Sequence, residues 1–329
     1  MPLGGMSASA SEFDNLDRYF RVQRAPEHFR DLAEKVTSRI VANQLPFQYR
    51  ADFLRATSST ALVPITVQLR NRDLGFQRKQ GVQSAVLDVY ARITTVGGRV
   101  VQTFEDIISR DIPDSFFRSS LELNSVYQKT VPLGAGLYRM DIVVKDTQSG
   151  NIGVLGTALR VPHFDEEKLN ASSLILADQI ERVPSSQVGG GQFLLNSYKV
   201  RPHVSREFSS SDRLGIYLQL YNLKVDSSHK TKVSVAYRIT QNLQEVWRDV
   251  EKADDLHQGG EELTIKRFVS LGTLAPGRYT VEVTAVDLLT NQTVIRGADF
   301  SVTPVPATER PSAQGGCRAS LTRPDKTGN

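Results

Sequence analysis

The sequence predicts an all-β protein: two tandem immunoglobulin-like antiparallel β-sandwich domains, with a short N-terminal extension and a disordered C-terminal tail. Three observations predict it. Short runs of alternating apolar and polar residues, separated by turn residues, recur along the 329-residue chain. Three segments of the first half return in the same order in the second half. Each half also carries a Leu-x-x-Gly-x-Tyr element, the pattern of the tyrosine corner of Greek-key sandwiches.

Residues 1–45 form the extension. Its first 25 residues are polar and irregular. Phe29, Leu32, Ala33, Val36 and Ile40 have the spacing of a short amphipathic helix, although Val36, Thr37, Ile40 and Val41 suit a strand equally well. The first sandwich is expected over 46–162, with strands at 47–56, 61–70, 84–94, 99–108, 121–131, 137–145 and 152–161. Alternation is clear in Val86, Asp88, Tyr90, Arg92 and in Tyr138, Met140, Ile142, Val144. Gly97-Gly98 is a hairpin turn signal, because glycine accepts the positive φ of such turns.

Residues 163–191 read as a linker plus the first strand of the second domain. Pro162, Asp165-Glu166-Glu167, Pro184-Ser185-Ser186 and Gly189-Gly190-Gly191 are boundary chemistry, and Ser173–Ala177 is apolar enough for a strand. The second sandwich is expected over 192–303, with strands at 192–200, 213–222, 231–241, 244–250, 262–270, 278–286 and 292–302. Residues 304–329, rich in proline and small polar residues, read as the tail.

The internal match is colinear. Gly136/Gly277, Tyr138/Tyr279 and Asp146/Asp287 are each 141 residues apart. Ile65–Asn71 matches Ile216–Asn222, and Tyr90–Thr94 resembles Tyr237–Thr240. On the tyrosine-corner reading Tyr138 and Tyr279 are structural, each hydroxyl bonding back to upstream backbone. Asp146 and Asp287 follow the strands that these tyrosines begin, and are expected to cap their own turns. A calcium site would need further converging carboxylates.

Composition narrows the function classes. Net charge is +4, from 40 basic against 36 acidic residues, and no basic stripe of a nucleic-acid binder is visible. No apolar run approaches the length that spans a bilayer. The single cysteine, Cys317, lies in the tail, so no intrachain disulfide is expected, and it lacks a fixed base that could activate it. Met1–Gly5 has neither a basic n-region nor an apolar h-region, so no signal peptide is expected in this chain. His28, His163, His203, His229 and His257 are too dispersed for a zinc motif and read as surface or linker residues. No Gly-x-Ser-x-Gly elbow is present, and Gly189–Gly191 matches no phosphate-binding loop. Asp254-Asp255 and Glu261-Glu262 flank His257 and Gly259-Gly260 in what reads as a long solvated connection. Trp247 reads as core or edge packing, and Asn170 and Asn291 open formal glycosylation sequons. The sequence therefore nominates no catalytic, cofactor-binding or metal residues and no cofactor.

Leu62–Leu69, Gly98–Asp106 and Ala171–Pro184 closely resemble the C-terminal region of bacterial GWxTD domain-containing proteins, a likeness that runs from about Phe13 to Val302. The first sandwich is more weakly similar to the C-terminal part of bacterial von Willebrand factor A-related proteins. The Gly-Trp-x-Thr-Asp motif is absent, since Trp247 sits in Val246-Trp247-Arg248-Asp249. The resemblance implies the C-terminal portion of a longer protein in an extracytoplasmic setting, periplasm or cell surface, and brings no active-site residues. The expected function is a non-enzymatic interaction or structural module with a protein partner. The alternatives are accessory domains to a catalytic or binding domain upstream, and a carbohydrate- or calcium-binding module using the sandwich loops.

Overall fold

The computed structural model describes residues 29–37, 43–183, 193–252 and 260–304. The polar stretch 1–25, the Gly189–Gly191 segment, the tail beyond 304, Asp254-Asp255, His28, His257 and Cys317 lie outside them.

The first sandwich contains β1 (Gln48–Ala51), β2 (Leu54–Arg55), β3 (Thr60–Arg70), β4 (Gln77–Lys79), β5 (Val82–Thr95), β6 (Val100–Pro113), β7 (Asn124–Gly134), β8 (Gly136–Asp146) and β9 (Ile152–Val161). Its smaller sheet is centred on β3, with β1 and β2 along one edge and β7 along the other. Its larger sheet runs β6-β5-β8-β9, with β4 extending the edge of β5. The second sandwich contains β10 (Asn170–Ala171), β11 (Ile175–Arg182), β12 (Leu194–Leu195), β13 (Tyr198–Pro202), β14 (Glu207–Ser209), β15 (Arg213–Tyr221), β16 (Val233–Gln241), β17 (Gln244–Lys252), β18 (Leu263–Ser270), β19 (Gly277–Asp287) and β20 (Gln292–Thr303). Here β15 is central, with β10 and β11 on one side and β18 on the other, and the facing sheet runs β17-β16-β19-β20-β14. Strand order is therefore the same in both halves: β3, β7, β5, β6, β8 and β9 occupy the places of β15, β18, β16, β17, β19 and β20.

Period-two alternation explains these sheets. Val63, Ile65, Val67 and Leu69 of β3 face Leu87, Val89, Ile93, Met140 and Ile142 across the first core. Leu214, Ile216, Leu218 and Leu220 face Val235, Ile239, Val281 and Val283 across the second. Each such side chain contributes about 1.5–3 kcal/mol on burial. Trp247 packs half-buried against the second core. The Gly97-Gly98 turn closes the β5–β6 hairpin, with Gly98 at φ 84°. Helix α1 (Arg30–Thr37) lies on the outer face of the larger sheet, where Leu32 meets Tyr90 and Val143 and Asp31 accepts from Lys145 at 2.7 Å.

Several elements differ from the sequence reading. The strand expected at 47–56 is broken between β1 and β2. Residues 114–120 form helix α2 (Asp114–Ser120), so the strand expected from 121 begins at Asn124. Phe117 of α2 packs edge-on against Phe76, at 5.1 Å between centroids, which anchors the helix at the mouth of the sandwich. The strand expected at 192–200 is instead the tight β12–β13 hairpin, with Asn196 at φ 53°. β14 pairs parallel with β20, whereas the other strand pairs among the described residues are antiparallel.

The tyrosine corners are present in both halves. Tyr138 donates to Gly134 O at 3.0 Å and Tyr279 to Ala275 O at 2.5 Å. The two aspartates cap their turns and do more. The Asp146 carboxylate accepts from Gln148 N at 2.9 Å and the Ser149 hydroxyl at 2.8 Å, but also from Gly75 N at 2.5 Å. Asp287 accepts from Leu289 N at 2.9 Å and the Thr290 hydroxyl at 2.9 Å, and from Lys224 N at 3.1 Å. Gly75 and Lys224 follow the central strands of the opposing sheets, so each carboxylate staples one sheet of its sandwich to the other. A Cβ at Gly75 would stand only 3.0 Å from the Asp146 oxygen, so this approach needs glycine.

Asp146→Ala and Asp287→Ala should each lower the free energy of unfolding by about 2–3 kcal/mol, because a buried acceptor of several N–H and O–H groups is lost. Urea denaturation measures this, and a loss within error of zero would remove the staple assignment.

Candidate functional site at the sandwich junction

Alternation sends one face of β3 and β15 into the two cores and leaves the other for Thr66 and Gln68, and for Tyr217, Gln219 and Tyr221. These side chains are not solvated. All five are buried, together with Gln128 of β7, because the sheets centred on β3 and on β15 turn these faces into the junction between the sandwiches. Leu54 and Leu62 of the first sandwich pack there against Ile175, Ala177, Leu195, Tyr198, Val200 and Tyr217 of the second.

Hydrogen bonds link these buried side chains. Gln219 accepts from Tyr221 OH at 2.7 Å and donates to Tyr217 OH at 2.6 Å. Tyr217 donates in turn to Leu195 O at 3.3 Å. Tyr221 OH also receives Arg55 N at 3.1 Å from the first sandwich. Burial pushes both phenols well above their ordinary pKa. Gln128 donates to Thr66 at 3.0 Å and accepts Phe193 N at 3.0 Å. The Arg55 guanidinium lies 4.5 Å over the Tyr221 ring and bonds Asn222 at 2.5 Å and Glu262 at 2.6 Å. Phe164 closes on the same ring edge-on at 5.7 Å.

The break between β1 and β2 is the second point of attachment. Phe53 O accepts Ser173 N at 2.9 Å, and Phe53 N donates to the Ser173 hydroxyl at 2.9 Å. Beside it Arg50, 8% exposed, holds Asp52, 1% exposed, through two bonds of 2.7 and 2.6 Å. The same guanidinium reaches across to Leu174 O at 2.7 Å. Removal of charge from water is costly, and this pairing plus a carbonyl acceptor offsets it.

None of the residues that carry this junction was nominated by the sequence. Of the residues that were considered, only Glu262 reaches it. His163 and His229 are exposed. His203 is neither a surface nor a linker residue. Its ring lies tilted on Phe208 at 4.3 Å between centroids with Nδ1 3.3 Å from the Ser205 hydroxyl, its backbone N–H donates to Leu176 O at 2.9 Å, and burial lowers its pKa. Glu262 is engaged by Arg55, whereas Glu261 is exposed with its carbonyl bonded to Leu223 N. Among the described residues no three metal-ligating side chains converge, and no helix is long and apolar enough to cross a membrane.

Two outcomes are expected. Asp52→Ala should cost about 3–5 kcal/mol by leaving Arg50 buried and uncompensated, and Arg50→Met/Asp52→Leu should recover much of it; denaturation of the three chains tests this. For His203 the folded pKa lies below the ordinary 6.5, so as pH falls through 6.5 the unfolded chain takes up a proton that the folded chain refuses. Stability must then fall below that pH. The urea midpoint should drop further between neutral pH and mildly acidic pH in the unaltered chain than in His203→Gln, and equal drops would refute the assignment.

No family model and no curated protein matches the chain. Among solved structures, a calcium-binding mutant of β-glucuronidase 2 from Bacteroides uniformis is similar at a TM-score of 0.24 and 9% identity, over 50% of this chain and 16% of that one. Trypsin-activated α2-macroglobulin from Escherichia coli is similar at a TM-score of 0.23 and 9% identity, over 81% of this chain and 16% of that one. The chain thus spans about a sixth of either protein's length.

Proposed function

We propose that this chain is a non-enzymatic accessory module, in which two sandwiches are clasped at a fixed angle to space or present the rest of a larger bacterial extracytoplasmic protein. The observation that carries this reading is the clasp itself. A flexible tandem needs no buried ion pair, no reciprocal Phe53–Ser173 bonds and no tyrosine–glutamine chain between its domains, since interdomain motion is the default unless the interface is substantial. The resemblance of Leu62–Leu69, Gly98–Asp106 and Ala171–Pro184 to the C-terminal region of GWxTD proteins supports the extracytoplasmic setting and an upstream functional domain. A protein partner has the outer strands β6 and β17 available, where Ile107, Val246 and Val250 expose aliphatic side chains.

Small-angle scattering and calorimetry of the full chain test the reading. One cooperative transition is expected for the two sandwiches, with a scattering curve that a single interdomain angle fits. Asp52→Ala should split the transition. Two independent transitions in the unaltered chain, or clear turnover in a hydrolase screen, would overturn it.

A further inference from the structure

A cleft of about 400 Å³ opens at the junction beside the Phe53–Ser173 clasp. Its wall carries three guanidinium groups, Arg50, Arg206 and Arg296, against one carboxylate, Asp52. Arg50 and Asp52 neutralise one another, which leaves two positive charges. Arg296 is fixed in place by backbone carbonyls, donating to Ser172 O at 3.1 Å, Ala171 O at 2.8 Å and Ile295 O at 3.0 Å. Carbonyl dipoles orient this charge without cancelling it. Arg206 sits at φ 56° in the turn between β13 and β14, and among the described residues it forms no ion pair. Burial, and after it the charge of Arg50, lowers the pKa of Arg206, while Asp52 and Asp299 pull weakly the other way. Burial likewise lowers the pKa of Arg296. Arg206 thus feels the like charge of Arg50 across the cleft.

Arg50 supplies a second, independent sign. It is 8% exposed, and its Nη1 is buried without a hydrogen-bond partner among the described residues. Buried guanidinium donors are ordinarily satisfied, and an unmet one is a site that asks for an acceptor. Arg50 lines the cleft, which places this unmet donor beside it.

We propose that this cleft binds a phosphate-type dianion, as inorganic phosphate or as the phosphomonoester of a small molecule or lipid headgroup. Two uncompensated positive charges match a double negative charge better than a single carboxylate. Guanidinium forks bind phosphate oxygens through paired hydrogen bonds. The volume lies within the range of small-ligand pockets. The site straddles both sandwiches: Arg50 comes from the first, Arg206 and Arg296 from the second. Its occupation would add to the clasp, and the proposal stands whether or not the module is an accessory one.

Isothermal titration of the full chain with inorganic phosphate, at constant ionic strength made up with chloride, tests the site. Saturable heat is expected, with affinity about tenfold weaker in Arg206→Gln and in Arg296→Gln. Arg206 breaks no ion pair when replaced, so its variant keeps the test valid if Arg296→Gln destabilises the fold. Glycerol 3-phosphate, and flotation with phosphatidylcholine vesicles with and without phosphatidic acid, distinguish the sources. Tighter binding of glycerol 3-phosphate indicates a soluble phosphomonoester, and flotation dependent on phosphatidic acid and on Arg206 indicates a headgroup. Absence of saturable binding in all three arms, or binding unchanged in both variants, would overturn the proposal.

Discussion

The arrangement of the two sandwiches depends on a buried charge. Arg50, in β1, and Asp52, just past its end, lie two residues apart, and both are almost wholly withdrawn from water. Such a pair gains little by itself, because desolvation consumes most of the Coulombic attraction. What makes it tolerable is the third member, Leu174 O, which belongs to the other sandwich. The ion pair is therefore satisfied only in one mutual placement of the domains. An apolar contact could slide, whereas a guanidinium committed to a carboxylate on one side and a carbonyl on the other cannot do so without losing the Leu174 O acceptor.

The rest of the junction follows the same logic. Tyr217, Gln219 and Tyr221 alternate with core residues along β15, so the strand that anchors the second core also supplies the polar seam. Their hydroxyl and amide groups satisfy one another and reach Arg55 N and Leu195 O. Inside each sandwich the device is different but repeated. Asp146 and Asp287 tie sheet to sheet through backbone N–H groups, and Tyr138 and Tyr279 pin the start of the strand that ends in each aspartate. At the open side a tyrosine, carboxylates and a cation close the gap between sheets: Tyr127 and Lys129 on Asp106 in the first, Tyr237 and Arg267 on Glu251 in the second.

Much of the fold was legible because its cause is periodic. Residues such as Val63, Ile65, Val67 and Leu69 alternate without interruption, and the matched Gly-x-Tyr and aspartate positions need nothing beyond sequence order. Helix α2 was not legible, because it is only seven residues long, too short for a helical period to show, and its Phe117 packs on Phe76, a contact that sequence order does not display. The junction was hidden for another reason. An alternation rule assigns Thr66, Gln68, Tyr217, Gln219 and Tyr221 to solvent, and that is correct for a single sandwich. The available signal was chemical. These positions hold neutral amides, a hydroxyl and phenols in place of the lysine and glutamate of a wetted face. Arg50 and Arg206 gave no signal at all, since one lies in a short interrupted strand and the other in a turn, and their proximity exists only in three dimensions.

The interruption between β1 and β2 has one more consequence. An outer strand presents a row of unused N–H and C=O groups, and any other chain in extended form can pair with them. At Phe53 both groups are already spoken for by Ser173, a residue of the same polypeptide. The broken strand is thus a self-blocked edge: the second sandwich guards the first against intermolecular strand addition, and cutting the protein between its halves would uncover an adhesive margin as well as a polar seam.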